Sequence, residues 1–342
     1  MQLLNTLYVT TPESYIHLDN DTLRVEVEKE TRLRVPLHHL SAVVCFGYVS
    51  VSLPLMHRLA DSGISLVLLD MHGRFKGRLE GAVSGNVLLR QAQHGLGRDL
   101  VFALGVARNC VAGKVRNCRQ VLLRGSREAK IPEEASALAR GAADLAATLR
   151  AMPGADDLDT LRGLEGEAAR QYFAALTFLV RASARDSFRM DGRTRRPPRD
   201  RINALLSFVY SLLMNDCRSA VEAAGLDPQI GFLHAVRPGR AALALDLMEE
   251  FRAFADRLVL SLINRGQIAP NDFVEREGGA VLLEGDARKT VLVAYQERKQ
   301  ENLTHPLLKE PVSFGLLPHI QARLLARTLR GDTAEYLPYL VR

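Results

Sequence analysis

Residues 231–252, GFLHAVRPGRAALALDLMEEFR, bring an imidazole and two carboxylates into one short stretch. His234 lies in a loop punctuated by Pro238 and Gly239, and Asp246 and Glu249 follow in a run of helical character. At about 100° per residue, Asp246 and Glu249 are i, i+3 neighbours, so their carboxylates leave one patch of helix surface. The same wheel sets Leu247, Phe251, Phe254, Leu258 and Leu262 in one stripe and Asp246, Glu249, Ala253 and Asp256 on the other side. A loop histidine reaching that patch completes an N,O,O donor set, which suits Mg²⁺ or Mn²⁺. The plainer reading is a solvated acidic face beside a packing histidine, and a third ligand from elsewhere decides between the two.

Residues 161–180, LRGLEGEAARQYFAALTFLV, offer that ligand. Glu165 shares a helix face with Ala168, Ala169, Tyr172, Leu176 and Leu179, whereas Glu167 turns toward Arg170 and the surface. An ionised carboxylate on an inward face is costly unless it is paired or metal-bound. The alternative to a metal is therefore a buried Arg or Lys from another helix. Between the two stretches, residues 200–213 set Asn203, Ser207 and Tyr210 on one polar stripe opposite Ile202, Leu205, Leu206, Val209 and Leu213. That stripe descends from an arginine-rich loop and is suited to lead nucleic acid toward a pocket.

The elements that must position these residues form a chain of 342, long enough for two domains or one with a large appendage. A composition of 47% hydrophobic and 25% charged residues excludes a disordered or low-complexity protein. Residues 181–201 carry eight arginines (Arg193, Arg195, Arg196 and Arg199 among them) against three aspartates, and so hold nearly all of the +6 formal charge. Such a concentration attracts a phosphate backbone, the alternative being a solvated loop. Cys45, Cys110, Cys118 and Cys217 show neither a CxxC pair nor zinc spacing. With no signal-peptide pattern at the start and no apolar run that reads as a membrane span, the expectation is reduced thiols in a cytoplasmic protein, not one of membranes.

The first eighty residues read as strands, at 3–10, 15–18, 23–27, 32–35 and 42–46, then a short helix from Ser52 to Gly63 and a strand–turn–strand unit around Met71-His72-Gly73. His38, His39, His57 and His72 lack ligand spacing to one another and are read as structural. From residue 86 the pattern turns helical: a long helix or pair over 86–124, then helices over 132–150, 160–183, 200–224 and 241–265. A two-strand excursion is expected in 273–294, with a turn at Gly285-Asp286, and an amphipathic helix over 312–330. The fold class is α+β, with a small N-terminal β-rich domain over 1–84 and a larger all-helical catalytic domain over 85–342.

LEGEAARQYF, RRPPRDRINALLSFVYSLL and GFLHAVRPGRAALALDLMEEFR, in this order and spacing, closely resemble the CRISPR-associated Cas1 family of metal-dependent endonucleases that insert new spacers during adaptation. LLNTLYVT, CFGYVSVS and GNVLLR are similar to the branch that accompanies subtype I-C systems. The resemblance implies Glu165, His234 and Glu249 as metal ligands and Asp246 as a catalytic acidic position beside them. The position of Glu249 is an aspartate in some relatives, so the preference between Mg²⁺ and Mn²⁺ stays open. The resemblance also implies a homodimer formed through the β domain, a larger complex with the small partner Cas2, and double-stranded DNA lying on a basic surface. It implies attack of a 3′-hydroxyl on phosphodiesters of the CRISPR repeat, with water as nucleophile giving a nuclease. Arg237 and Arg240, after His234, are placed to neutralise phosphates, alongside the loop arginines and Asn203 and Tyr210. The rival reading is a non-catalytic DNA-binding scaffold; a helical metalloenzyme for small molecules fits the basic segment less well.

Overall fold

The computed structural model describes residues 6–341 apart from 41, 72–74, 80 and 82–86. In chain order the regular elements are β1 (Thr6–Val9), β2 (Tyr15–Asp19), β3 (Thr22–Val27), β4 (Glu30–Pro36), β5 (Ala42–Phe46), β6 (Ser50–Val51), α1 (Leu53–Asp61), β7 (Ser65–Leu69) and β8 (Phe75–Leu79). Helices α2 (Val87–Leu96), α3 (Leu100–Glu128), α4 (Pro132–Ala151), α5 (Leu158–Leu176), α6 (Ala182–Arg185), α7 (Arg201–Ala223), α8 (Ala242–Met248) and α9 (Arg252–Asn264) follow. The chain ends with β9 (Phe273–Arg276), β10 (Ala280–Leu283), α10 (Asp286–Gln300), β11 (Asn302–Thr304), β12 (Pro311–Ser313) and α11 (Leu317–Leu329).

Two compact units result: Met1–Gly85 with Glu284–Gln300, and Asn86–Leu283 with Glu301–Arg342. In the first, one sheet runs β1-β5-β7-β8, its first three strands parallel and β8 antiparallel to β7. The other runs β4-β3-β2-β6. Residues Val43 to Phe46 of β5 are all buried, as expected for a strand between two parallel neighbours. In β3 the buried positions are Leu23 and Val25, the alternation of a strand covered on one side. Helix α1 starts on Ser52, whose side chain accepts from the Leu55 N–H, and its Leu55 and Leu59 join Ile16, Leu23, Val43 and Leu66 in the core.

In the second unit α3 is the axis. Asp99 caps it by accepting the N–H groups of Val101 and Phe102, so the expected long helix or pair is the pair α2 and α3. Ala107, Cys110, Val111, Lys114, Cys118, Val121 and Leu122 make its buried stripe, against which α4, α5 and α9 pack. Asp157 and Asp200 cap α5 and α7 in the same way. All four cysteines are buried and unbridged.

Five expectations are corrected. The second unit is not all helical, since it holds the hairpins β9–β10 and β11–β12. The hairpin turn lies at residues 277–279, where Gly278 and Gly279 supply the positive φ, whereas Gly285-Asp286 opens α10. Helix α10 groups with the N-terminal unit rather than with the helices around it in sequence. The helix expected over 241–265 is interrupted by a 3-10 turn at Glu249–Phe251, and the last helix begins at Leu317, after β12. The expected boundary near residue 84, His72 with the turn it marks, and the start of the N-terminal strand lie outside the described residues.

Candidate active site

The loop that delivers His234 is built before it is chemical. The Gln93 amide, fully buried on α2, donates to the carbonyls of Asp227 (2.8 Å) and Ile230 (2.9 Å) and accepts the Asp227 N–H. Gly231 then packs so closely that a Cβ would lie 2.7 Å from Asp246 Oδ2 and 2.9 Å from Ala242 Cβ. Only a residue without a side chain fits. Beyond it the backbone N–H groups of Phe232, Leu233 and His234 all donate to the Asp246 carboxylate, at 2.5, 3.0 and 2.9 Å. The His234 ring adds a fourth bond, Nδ1 to Asp246 Oδ1 at 2.7 Å. Facing a carboxylate, Nδ1 is the protonated nitrogen, which leaves Nε2 with its lone pair outward.

That lone pair looks toward Glu249, whose Oε1 is 3.9 Å from Nε2. Arg252 holds the Glu249 carboxylate by two bonds of 2.8 and 2.7 Å, and the Lys114 ammonium lies 2.8 Å from its Oε2. The same ammonium also bonds Glu165 on α5. Burial by itself would push the Glu249 carboxyl up, but Arg252 and Lys114 beside it hold it well below the usual carboxylate range. Burial likewise opposes the charge on Lys114, and the two glutamates outweigh it and keep the ammonium protonated. Arg162, one helical turn before Glu165, donates to the Leu233 carbonyl at 3.0 and 2.7 Å, tying α5 to the residue before His234.

Glu165 and Glu249 thus converge on one cation, and His234 faces Glu249 with Asp246 behind the imidazole. The cation is an ammonium. Among the described residues no three His, Cys, Asp or Glu side chains are spaced to hold a metal ion, and Lys114 lies between the two glutamates. The donor chemistry fits a hard divalent ion: two carboxylates, one imidazole nitrogen, and an outer carboxylate fixing the tautomer. The amphipathic reading of 241–265 needs correction. Asp246, Glu249, Glu250, Arg252 and Asp256 are all buried, each answered by an interior partner rather than by water.

The expected DNA-contacting residues divide. Arg195, Arg196 and Arg199 are exposed, and the peptide bond between Arg196 and Pro197 is cis. Arg237 is exposed and Arg240 half-buried. Arg193 instead turns inward, donating to Asn203 Oδ1 (2.7 Å) and Ser207 Oγ (3.1 Å) with its guanidinium 5.4 Å from the Tyr210 ring centre. Asn203 is fully buried, accepting from Arg193 and the Thr194 N–H and donating to the Gly192 carbonyl. The Tyr210 hydroxyl donates to Asp256 at 2.5 Å. Asn203 and Tyr210 are thus buried and, with half-buried Ser207, fasten the loop to α7. Glu167 is exposed and bonded to Arg170, as its place on the wheel implies.

Lys114, Arg252 and Arg162 join the site without being marked by the sequence pattern as its members. Lys114 was visible as one charge in the apolar stripe with Cys110 and Cys118, and Arg252 as a cation i+3 from a proposed ligand. Arg162 gave no sign, because its partner is a backbone carbonyl seventy-one positions away.

Fold and donor set together define a two-unit α+β protein whose helical unit carries a carboxylate–imidazole site suited to phosphodiester chemistry. A model of the family described as CRISPR associated protein Cas1 matches residues 7–297. A protein of Moorella thermoacetica named CRISPR-associated endonuclease Cas1 1 is 56% identical over 341 residues, covering 99% of each chain. The chain belongs to the Cas1 family. Among solved structures, one described as a Cas6-RT-Cas1--Cas2 complex aligns with a TM-score of 0.83 at 26% identity, over 99% of this chain and 36% of that one. A casposase bound to integration product shares the fold with a TM-score of 0.83 at 20% identity, over 98% of this chain and 93% of that one.

Proposed function

We propose that this chain is a DNA endonuclease and integrase of CRISPR adaptation, using Mg²⁺ or Mn²⁺ to join the 3′-hydroxyl of incoming double-stranded DNA to phosphodiesters of the repeat. The observation that carries the reading is the convergence of Glu165 and Glu249 on one cation beside a histidine whose tautomer Asp246 fixes. With a divalent ion held by Glu165, His234 Nε2 and Glu249, the site gains a Lewis acid that polarises the scissile phosphate. The protein does the rest. Asp246 keeps the proton on Nδ1 and the loop closed, Arg252 fixes the plane of the Glu249 carboxylate, and Arg162 sets α5 against the His234 loop. Attack by a 3′-oxygen breaks one P–O bond as it forms another, conserving the number of phosphodiesters; water in the same place gives cleavage.

Support for a nucleic-acid substrate comes from exposed Arg195, Arg196, Arg199 and Arg237, and from the relative named an endonuclease. A Cas2 partner is supported by the complex that names both proteins. The same reading includes a homodimer and an I-C-like setting, the latter carried by the N-terminal segments alone. No helix among the described residues is long and apolar enough to cross a membrane. Replacing Glu165 with Ala is expected to abolish Mn²⁺-dependent cleavage and strand transfer while leaving the fold intact by circular dichroism. Undiminished activity would remove the assignment.

A further inference from the structure

Lys114 is a lysine almost without solvent contact, 6% exposed, in the middle of α3. Its ammonium touches Glu165 and Glu249 together. Arg252 is anchored to Glu249 by two parallel bonds, whereas Lys114 reaches the centre on a flexible four-carbon stem. Of the two cations, Lys114 is the one that can withdraw. Glu165, Asp246 and Glu249 set against Lys114 and Arg252 leave the centre one negative charge in excess when His234 is neutral. A divalent ion entering beside the ammonium turns that into one positive charge, with two cations crowded between the same carboxylates in a poorly screened interior. One phosphodiester restores neutrality.

We propose that Lys114 is an internal counter-cation that makes divalent-metal loading wait for DNA. The proposal rests on the ligand assignment above and concerns what competes for those ligands. While the ammonium bridges the glutamates, the centre keeps only one negative charge in excess and holds a divalent ion weakly. A phosphate arriving at the site gives both the ion and the displaced ammonium a negative partner, so the two ligands favour each other. Such coupling is reciprocal: the metal must tighten DNA binding by the factor by which DNA tightens metal binding.

The test titrates Mn²⁺ calorimetrically into the full-length protein, alone and with a DNA duplex lacking 3′-hydroxyls. In the wild type, DNA should tighten Mn²⁺ binding by roughly 5- to 150-fold, the usual span of coupling between sites. Lys114→Met should bind Mn²⁺ more tightly than the wild type in the absence of DNA, and DNA should then add little. Lys114→Gln, similar in reach but uncharged, should behave the same way if the methionine variant does not fold. Equal Mn²⁺ affinity of the wild type with and without DNA overturns the proposal whether or not either variant folds. So does a variant that binds Mn²⁺ no better than the wild type or keeps the full DNA effect. Absence of any Mn²⁺ binding by the wild type with DNA present would overturn the ligand assignment as well, which separates the two failures.

Discussion

Asp246 accepts four hydrogen bonds, three from backbone N–H groups and one from the His234 ring, and every one is directed at placing the imidazole. Asparagine there keeps the volume but turns one acceptor into a donor among donors. Asp246→Asn should lower metal affinity or turnover by about 10- to 100-fold, the usual cost of losing an outer-shell partner, with the global fold retained. Metal titration of the folded variant checks this. Gly231→Ala should cost about 1–3 kcal/mol in denaturant unfolding, since its methyl would fall within 3 Å of both Asp246 and Ala242. The inward face of Glu165 was legible because small residues mark it, and the choice between metal and buried lysine was left open for a physical reason. Either satisfies the same carboxylate, and helical spacing cannot say which helix sends the cation.

At the level of elements, the turn Glu249–Phe251 is held from both sides. Asn117, one turn beyond Lys114 on α3, donates to the carbonyls of Glu250 and Tyr339. The Glu250 carboxylate accepts from Tyr336, from Gln321 at 2.9 Å and from the Tyr339 N–H at 2.6 Å, so the C-terminal segment braces the residue next to Glu249. Burial pushes Glu250 up to about 8 against those donors, and pushes Asp256 up to about 6 against Tyr210 and Tyr172. A carboxyl raised in this way binds its proton more tightly folded than unfolded, so stability falls as pH rises between the two values. Denaturant unfolding should therefore show a loss on the order of a few kcal/mol from pH 4.5 to 8, and Glu250→Gln should flatten its upper part, above pH 6. An unchanged slope in the variant would contradict the assignment. The wheel over 241–265 failed here because it equates charge with solvent, while this segment answers each charge from inside. The basic loop makes a parallel case. Arg195→Ala, Arg196→Ala and Arg199→Ala together should weaken DNA binding and reduce the slope of log affinity against log salt by about 2–3, leaving the melting temperature unchanged. Arg193→Ala should instead lower the melting temperature, because its guanidinium joins the loop to Asn203, Ser207 and Tyr210.

For the molecule as a whole, the order of a β-rich unit and then a helical one was legible, since strand alternation and helical runs occupy separate stretches of sequence. What was not legible depends on long-range pairing: the parallel union of β1, β5 and β7, the return of α10 to the first unit, and the C-terminal brace on the catalytic turn. The proposed function requires Glu165, His234 and Glu249 to share one divalent ion. The most direct measurement is anomalous diffraction at the manganese edge from crystals of the protein with DNA and Mn²⁺. A peak within coordinating distance of both carboxylates and of His234 Nε2, with the Lys114 ammonium withdrawn, is the result predicted. Manganese bound elsewhere, or Lys114 still bridging the glutamates with the metal site and DNA both filled, would contradict it.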